Sequence, residues 1–200
     1  LSNLHRHDAA NRLDEDATFT YTYDAAGNRA TRTEKATGTV MTYVYDGEHQ
    51  LTGVTTPTLA ATYRYDGLGR RIEKQVNSII TRYVYDQEDL LLEFDGTNTL
   101  KARWLHGPGI DEPLMLERDL NSNGTFESTE RFFYHRDGLN STVALTNNAG
   151  AVVESYRYDS FGQPTILAPD GTVRTCSAFG NPFLFTGREY DCESGLYHNR

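Results

Sequence analysis

Residues 63–71 read Tyr63-Arg64-Tyr65-Asp66-Gly67-Leu68-Gly69-Arg70-Arg71, and much of the chain consists of variants of this stretch. The Tyr-x-Tyr-Asp signature recurs with aspartates at Asp24, Asp46, Asp86 and Asp159, and two weaker copies end at Asp8 and Asp137. From Asp24 to Asp86, successive copies follow at intervals of 20 to 22 residues. Self-similarity at a fixed period is typical of repeat architectures, so the sequence predicts a repeated structural unit.

The residue three positions after each aspartate predicts a turn. This position always holds Gly, Asn, Asp or His, the types that most readily adopt positive φ. The aspartate can accept hydrogen bonds from amides of its own turn. We expect the left-handed residue at Asn11, Gly27, His49, Gly69, Asp89, Asn140 and Gly162. We assign structural repeat roles to Tyr23, Asp24, Gly27, Tyr45, Asp46, Tyr65, Asp66, Gly69, Tyr85, Asp86, Asp137, Asn140, Tyr158, Asp159 and Gly162.

The residues before each turn alternate between aromatic and polar side chains. Phe19, Tyr21 and Tyr23 point to one side of an extended chain, and the intervening threonines point to the other. A β-branched or apolar run follows each turn, as at 72–76, and ends in a second turn signal. Gly, Asn or Pro interrupts nearly every window of helical length. The predicted fold class is all-β, made of consecutive antiparallel β-hairpins in which tyrosines can stack across strands.

The regularity of the repeats divides the chain into three parts. Residues 1–16 hold a degenerate first repeat and a connector, and residues 17–105 hold the regular hairpins. Residues 106–200 are irregular: a Pro- and Gly-containing loop at 106–113 precedes a strand at 114–117 and a polar insertion at 119–130. Repeat character then resumes, with further turns after Asp137 and Asp159.

Composition limits the classes of partner. The chain has 200 residues, 13 tyrosines against 2 methionines, and a net charge of −9, which argues against nucleic acid or anionic membranes as partners. No apolar run reaches the length of a membrane span, so we expect no membrane insertion by this segment. The sequence begins without methionine or signal peptide and stops within a motif at Arg200. We therefore expect a fragment of a longer protein.

Residues 181–197, Asn-Pro-Phe-Leu-Phe-Thr-Gly-Arg-Glu-Tyr-Asp-Cys-Glu-Ser-Gly-Leu-Tyr, resemble the segment that opens the RHS-repeat-associated core. Together with the upstream repeats and His106-Gly107-Pro108-Gly109, essentially the whole chain resembles the C-terminal part of an RHS/YD-repeat protein. The resemblance implies a curved, spiralling β-shell that encloses a variable C-terminal toxin. It also implies a secreted or cell-surface protein, whose partners are the remainder of its own shell and the enclosed toxin domain.

The resemblance carries over no catalytic residue. In that family self-cleavage depends on a segment downstream of the part that this sequence matches. The Gly67-x-Gly69 pair lies in a predicted hairpin turn rather than before a helix, so it predicts no nucleotide site. The six histidines are scattered and accompany no hydrolase motif. We expect no enzyme activity and no cofactor-binding residue in this segment. The alternative function is a carbohydrate-binding or adhesive module, because exposed tyrosine rings can stack on glycans.

Cys176 and Cys192 permit two interpretations. They could form one disulfide in an oxidising compartment, and they could equally remain two free thiols.

The insertion Asp119–Glu130 matches the EF-hand loop pattern. Counted from Asp119 as position 1, oxygen ligands fall at the expected positions and Gly124 occupies position 6, where the loop turns sharply. The predicted ligands are Asp119, Asn121, Asn123, Thr125 (through its carbonyl), Glu127 and Glu130. The flanking residues read as strands rather than helices, so we expect a structural calcium site, while a solvated hairpin tip is the simpler alternative.

Overall fold

The computed structural model describes residues 5–109 and 112–199, and the chain divides into two compact units, residues 1–79 and 80–200. Residues 1–4 of the predicted first repeat and Ile110 and Asp111 of the predicted loop lie outside the described residues. Within the described ranges, the helical segments are two single 3-10 turns, Ser128–Glu130 and Phe185–Gly187. The all-β prediction is therefore confirmed.

Unit 1 is a series of antiparallel hairpins in which each strand pairs with the next strand in sequence. Tyr21 lies opposite Arg32, and Tyr43 lies opposite Val54. The strands are β1 (Arg6–His7), β2 (Leu13–Glu15), β3 (Phe19–Tyr23), β4 (Arg29–Glu34), β5 (Val40–Tyr45), β6 (Leu51–Thr55), β7 (Ala60–Tyr65) and β8 (Arg71–Val76). The degenerate first copy thus forms a hairpin like the later ones.

Unit 2 continues the same scheme and adds a separate two-stranded hairpin. The consecutively paired strands are β9 (Ile79–Asp86), β10 (Asp89–Asp95), β11 (Leu100–His106), β12 (Pro113–Arg118), β13 (Arg131–Arg136), β14 (Thr142–Asn147), β15 (Val152–Tyr158), β16 (Pro164–Leu167) and β17 (Val173–Arg174). The added hairpin consists of β18 (Glu189–Asp191) and β19 (Leu196–His198). The insertion 119–130 connects β12 to β13.

The second tyrosine of a repeat ties its hairpin to the preceding one. In the copies of Tyr23, Tyr45, Tyr65 and Tyr85 the strand register shifts by one residue just before this tyrosine, so that Tyr65, for example, lies opposite Arg71. In three copies the hydroxyl of this tyrosine donates to a backbone carbonyl of the hairpin before. These donor–acceptor pairs are Tyr23 to Leu13 (2.6 Å), Tyr65 to Leu51 (2.8 Å) and Tyr158 to Thr142 (2.6 Å). The tyrosines therefore act through hydrogen bonds as well as through ring packing.

The core of unit 2 lies on one face of its strands. Alternate residues of consecutive strands, among them Trp104, Leu116, Phe132 and Leu145, point to this face and are 0–3% exposed. Residues 176–198 cover it from the other side. In unit 1 the equivalent aromatic positions Tyr43 and Tyr63 are also buried, at 4% and 3% exposed. Within each unit, one sheet face therefore carries the apolar side chains, as the period of two predicts.

Candidate functional site

The aspartate turns have one recurring geometry. In the turn of Asp66, carboxylate oxygen Oδ1 accepts the amides of Leu68 (2.9 Å) and Arg70 (3.0 Å), and the Gly69 amide donates to the Asp66 carbonyl. The hydrogen bond from the Arg70 side chain holds the pKa of Asp66 below its usual value. The predicted left-handed residue is found with φ between 60° and 91° at Asn11, Gly27, His49, Gly69, Asn140 and Gly162.

The prediction of a left-handed residue at Asp89 is wrong. Asp86 and Asp89 lie directly opposite each other at the ends of β9 and β10, which leaves a two-residue hairpin loop. The positive φ falls on Gln87 instead, at 53°. A two-residue loop requires its unusual φ inside the loop, whereas the longer turns of the other copies place it two residues before the returning strand.

Two further turns, outside the Tyr-x-Tyr-Asp copies, have the same geometry. Asp95 and Asn147 each accept two amides of their own turn through Oδ1, and Asn98 and Gly150 adopt positive φ three residues later. In the sequence these turns show an Asp or Asn followed three positions later by Asn or Gly, and the tyrosines that precede the other copies are missing. These turns join the hairpins at their other ends.

The segment that covers unit 2 is anchored by aromatic side chains. The Phe183 ring meets the edge of Trp104 with 6.0 Å between ring centroids, and the rings of Phe179 and Phe132 lie 4.4 Å apart. Phe185 packs on Tyr158 at 5.4 Å. This segment includes the residues whose sequence resembles the RHS core, and its apolar residues have no period that could have revealed which face they cover.

Asn181 lies at the centre of a buried hydrogen-bond network below this segment. Its Oδ1 accepts hydrogen bonds from the Tyr134 hydroxyl (2.8 Å) and from the Phe183 amide (2.9 Å). Its Nδ2 donates to the Tyr156 hydroxyl at 3.0 Å, and Trp104 Nε1 donates to Tyr134. Asn181 is 6% exposed and satisfies its amide in full, so it fixes the segment to two separate strands.

Glu154 closes the network as a fully buried carboxylate. Its Oε1 accepts from Arg174 Nη1 (2.7 Å) and from the Ala178 amide (3.0 Å), and its Oε2 accepts from the Tyr156 hydroxyl. The Glu154 side chain is 0% exposed, whereas that of Arg174 is 29% exposed. Burial and the charge of Glu154 raise the pKa of Tyr156 well above its usual value. These groups form a structural ion pair rather than a reactive centre.

Cys176 and Cys192 form a disulfide, with their Cα atoms 5.5 Å apart. Of the two interpretations that the sequence left open, the structure has the bonded form. The bridge joins the start of the covering segment to the β18–β19 hairpin.

The polar insertion is closed by its first carboxylate. Asp119 accepts the amides of Asn123 (3.0 Å) and Gly124 (3.2 Å), and Gly124 has a φ of 79°. Lys101 Nζ lies 3.1 Å from Asp119 Oδ2, and the Asp119 side chain is 0% exposed. Burial raises the pKa of Asp119, but the hydrogen bonds from Lys101 and the loop amides outweigh it, so that the pKa is lowered. Phe126 holds the loop against the sheet, with Arg103 stacked 4.8 Å from its ring centroid.

The last carboxylate of the insertion also bonds within the loop. Glu130 Oε1 accepts the amides of Leu120 (2.8 Å) and Asn121 (3.1 Å), and its Oε2 accepts the Glu127 amide (3.2 Å). Asn123 Nδ2 donates to Glu127 Oε1 at 3.0 Å. Over residues 5–109 and 112–199, no three His, Cys, Asp or Glu side chains are grouped so as to hold a metal ion. Calcium would therefore have to draw on amide and backbone oxygens as well as on carboxylates.

In the part of the chain that the structure describes, no helix is sufficiently long and apolar to cross a membrane.

The chain shares sequence with known proteins. The family described as Teneurin YD-shell matches residues 4–168. The chain is 32% identical over 181 residues to the tRNA3(Ser)-specific nuclease WapA of Bacillus spizizenii, covering 88% of this chain but 7% of that protein. It is 25% identical over 202 residues to the double-stranded DNA deaminase toxin A of Burkholderia cenocepacia, covering 90% of this chain and 14% of that protein. The crystal structure of TcdB2-TccC3 aligns with 95% of this chain and 12% of that one, at 17% identity and a TM-score of 0.44.

Proposed function

The chain belongs to the teneurin YD-shell family, and we propose that it is a wall segment of a β-shell that encloses a C-terminal toxin domain. The observation that carries this proposal is the hairpin series itself, in which each repeat pairs with the next and hydrogen-bonds to the one before. Such a series extends a wall by any number of copies. The two relatives compared above are named for a nuclease and a toxin, and this chain spans a small part of each.

The residues of the wall support a role without catalysis. Asp66 accepts two amides of its own turn, and the Tyr65 hydroxyl donates to the Leu51 carbonyl of the neighbouring hairpin. In this proposal the activity belongs to the enclosed domain, and the remainder of the shell is the other partner. The protein that contains this segment is then secreted or displayed at a cell surface, where a disulfide such as Cys176–Cys192 persists.

Limited proteolysis of the complete gene product tests the proposal. A protease site is placed in a loop of the downstream domain, and Trp104→Ala is introduced to remove a buried ring from the wall. We expect the domain to resist cleavage behind the wild-type wall and to be cut at least tenfold faster in the Trp104→Ala protein. Arg64→Gln, at a side chain that is 74% exposed, serves as the control. Rapid cleavage behind the wild-type wall would contradict enclosure.

The burial of the repeat tyrosines argues against glycan binding, the alternative function. Stacking on a sugar requires an exposed ring face, and Tyr43, Tyr63 and Tyr156 are 3–4% exposed. A glycan array probed with this chain separates the two functions. Binding that is lost on substitution of half-buried tyrosines such as Tyr45 would favour the adhesive function.

We further propose that the loop Asp119–Glu130 binds calcium in a stabilising role. The spacing of its oxygen ligands, the sharp turn at Gly124 and the buried Asp119 carboxylate support this. Lys101 occupies one side of Asp119, so the ion would have to displace its ammonium group.

Calorimetric titration of calcium into chelator-treated protein tests the loop. We expect binding in the micromolar to millimolar range that Glu130→Gln abolishes and that Lys101→Met strengthens, because the competing cation is gone. Glu48→Gln, in an exposed turn of unit 1, should bind as the wild type does. The absence of heat at millimolar calcium would rule the site out.

A further inference from the structure

Two arginines in unit 1 lie between two rows of aromatic and apolar side chains. Arg29 and Arg32 belong to β4, and their guanidinium carbons lie 4.7 Å from the ring centroids of Tyr21 and Phe19 on β3. When a guanidinium stacks on an aromatic ring, its N–H groups point outward in the plane of the guanidinium. The two side chains are therefore held in fixed orientations with donor groups on the same sheet face.

The third strand of this surface is β5, whose residues Met41, Tyr43 and Tyr45 point to the same face. Met41 lies directly opposite Arg32, and Arg32 Nη2 approaches the Met41 sulfur at 3.6 Å. Arg29 is close enough to Tyr45 that its positive charge opposes the rise that burial causes in the Tyr45 pKa. The surface thus consists of a central cationic row with an aromatic or apolar row on each side.

Two polar atoms of this surface are buried without a partner. Arg29 Nε and the Tyr43 hydroxyl make no hydrogen bond to any residue in the described ranges. Both can donate, and buried donors in folded proteins are normally paired. The chain itself therefore leaves two donors beside the arginine row unsatisfied.

Arg29 and Arg32 make no direct ion pair with a carboxylate in the described part of the chain. Neither guanidinium has an ion-pair partner among residues 5–109 and 112–199, whereas Arg12 pairs with Asp8 and Arg64 with Glu73. Arginine forks bind carboxylates in a bidentate manner, which gives both strength and orientation.

We propose that the surface formed by Phe19, Tyr21, Arg29, Arg32, Met41 and Tyr45 binds an acidic polypeptide segment. Its carboxylates would meet the two guanidiniums, and its apolar side chains would pack on the flanking rings. The proposal rests on the proposed wall function, in which the enclosed domain supplies this segment.

The surroundings of the two arginines favour a polypeptide over a nucleic acid. Asp16 accepts the Tyr21 hydroxyl, the charge of Asp24 acts on Tyr45, and Glu34 lies opposite Phe19. A nucleic acid strand carries a phosphate about every 3.4 Å and would bring several of them against these carboxylates. A polypeptide can place single carboxylates at the arginines and neutral groups beside the acids.

Fluorescence anisotropy with the isolated 200-residue chain tests the proposal. The probe is a labelled twelve-residue peptide in which four glutamates alternate with leucine and glycine, and its glutamine analogue serves as the uncharged control. We expect the glutamate peptide to bind and the double variant Arg29→Gln/Arg32→Gln to weaken binding roughly three- to tenfold, the range for two partly exposed charge pairs. Arg29→Lys/Arg32→Lys should restore part of the affinity.

The matched control is Arg64→Gln, which removes the same charge from the opposite sheet face and should change the affinity less than twofold. Circular dichroism establishes that each variant keeps its strand content. Equal binding by the wild type and the double variant, equal binding of the glutamine peptide, or tighter binding of a single-stranded oligonucleotide would each overturn the proposal. These outcomes leave the wall function intact, because protease protection of the downstream domain tests that separately.

Discussion

At the scale of single residues, the stability of each aspartate turn depends mainly on two positions. One carboxylate oxygen accepts two backbone amides, and the residue three positions later takes a left-handed conformation. The identity of the second position follows from sterics alone, because Gly and Asn tolerate positive φ and β-branched residues do not. At Gly27 an added Cβ would meet nothing within 4 Å, so backbone conformation is the main constraint there.

Gly69→Val should therefore lower the free energy of unfolding by about 1–3 kcal/mol, since its φ is +81°. Leu68→Val should stay within about 0.5 kcal/mol, because Leu68 is 77% exposed. Gly69→Asn should lie between them, as Asn11 and Asn140 occupy the same position in other copies. Urea unfolding measures all three, and equal midpoints for the valine variants would show that the turn is not strained.

Residue types predicted this position at six copies and misplaced it at Asp89. A side chain can indicate that positive φ is tolerated, but the length of the loop depends on which residues of the two strands pair. That register is set by the burial of Tyr83 and Leu90 on one face, which is a property of the packed hairpin.

At the scale of elements, the hairpins were predictable and the covering segment was not. A strand with one buried face shows a period of two in its own sequence. Residues 176–187 have no such period, because their contacts with Trp104, Phe132 and Thr142 come from distant parts of the chain. Two glycines lie at close approaches of this segment to the sheet. An added Cβ would lie 2.7 Å from Phe185 at Gly162 and 2.6 Å from Arg118 at Gly180.

Removal of the buried carboxylate should release this segment. Glu154→Ala leaves Arg174, Tyr156 and the Ala178 amide without their acceptor, and we expect a loss of about 3–5 kcal/mol in urea unfolding. Arg64→Ala at the exposed pair with Glu73 should cost no more than about 1 kcal/mol. Similar losses for both variants would show that Glu154 does not anchor the segment.

Reduction of the disulfide should lower the free energy of unfolding by no more than the Glu154→Ala substitution does, and independently of it. A bridge between residues 16 apart contributes about 3 kcal/mol through the unfolded state in the chain-entropy model. We expect Cys176→Ser/Cys192→Ser and reduced wild type to unfold at the same lowered urea concentration. A double variant that reduction destabilises further would indicate that the reductant acts elsewhere.

At the scale of the whole molecule, the titrating groups define the pH range of stability. Aspartates such as Asp8, Asp24 and Asp66 have lowered pKa values because side chains and amides hydrogen-bond to the charged form. Their contribution is present above an unfolded pKa of about 3.9 and is lost as pH falls through the folded value. Tyrosines behave in the opposite sense. Burial and Asp16 raise the pKa of Tyr21 to about 12, so its contribution is lost as pH rises above about 10.

The urea midpoint should therefore be constant between about pH 5 and pH 9 and should fall on both sides. Absorbance at 295 nm follows tyrosine ionisation in the same samples. We expect Tyr134, Tyr156, Tyr158 and Tyr197, whose pKa values burial raises, to ionise only as the chain unfolds. Independent titration of all tyrosines near pH 10 in folded protein would contradict this packing.

The pairing of each strand with its sequence neighbour also has a kinetic consequence during synthesis. A ribosome adds about 5–20 residues per second, so a repeat of about 20 residues emerges over roughly one to four seconds. A hairpin forms in about 1–10 μs, and contacts between near neighbours close fastest. Each hairpin can thus be complete before the next one leaves the ribosome. Contacts such as that between Tyr85 and Glu189 cannot form until the end of the segment has been synthesised. The covering residues 176–198 are therefore the last part of unit 2 to fold.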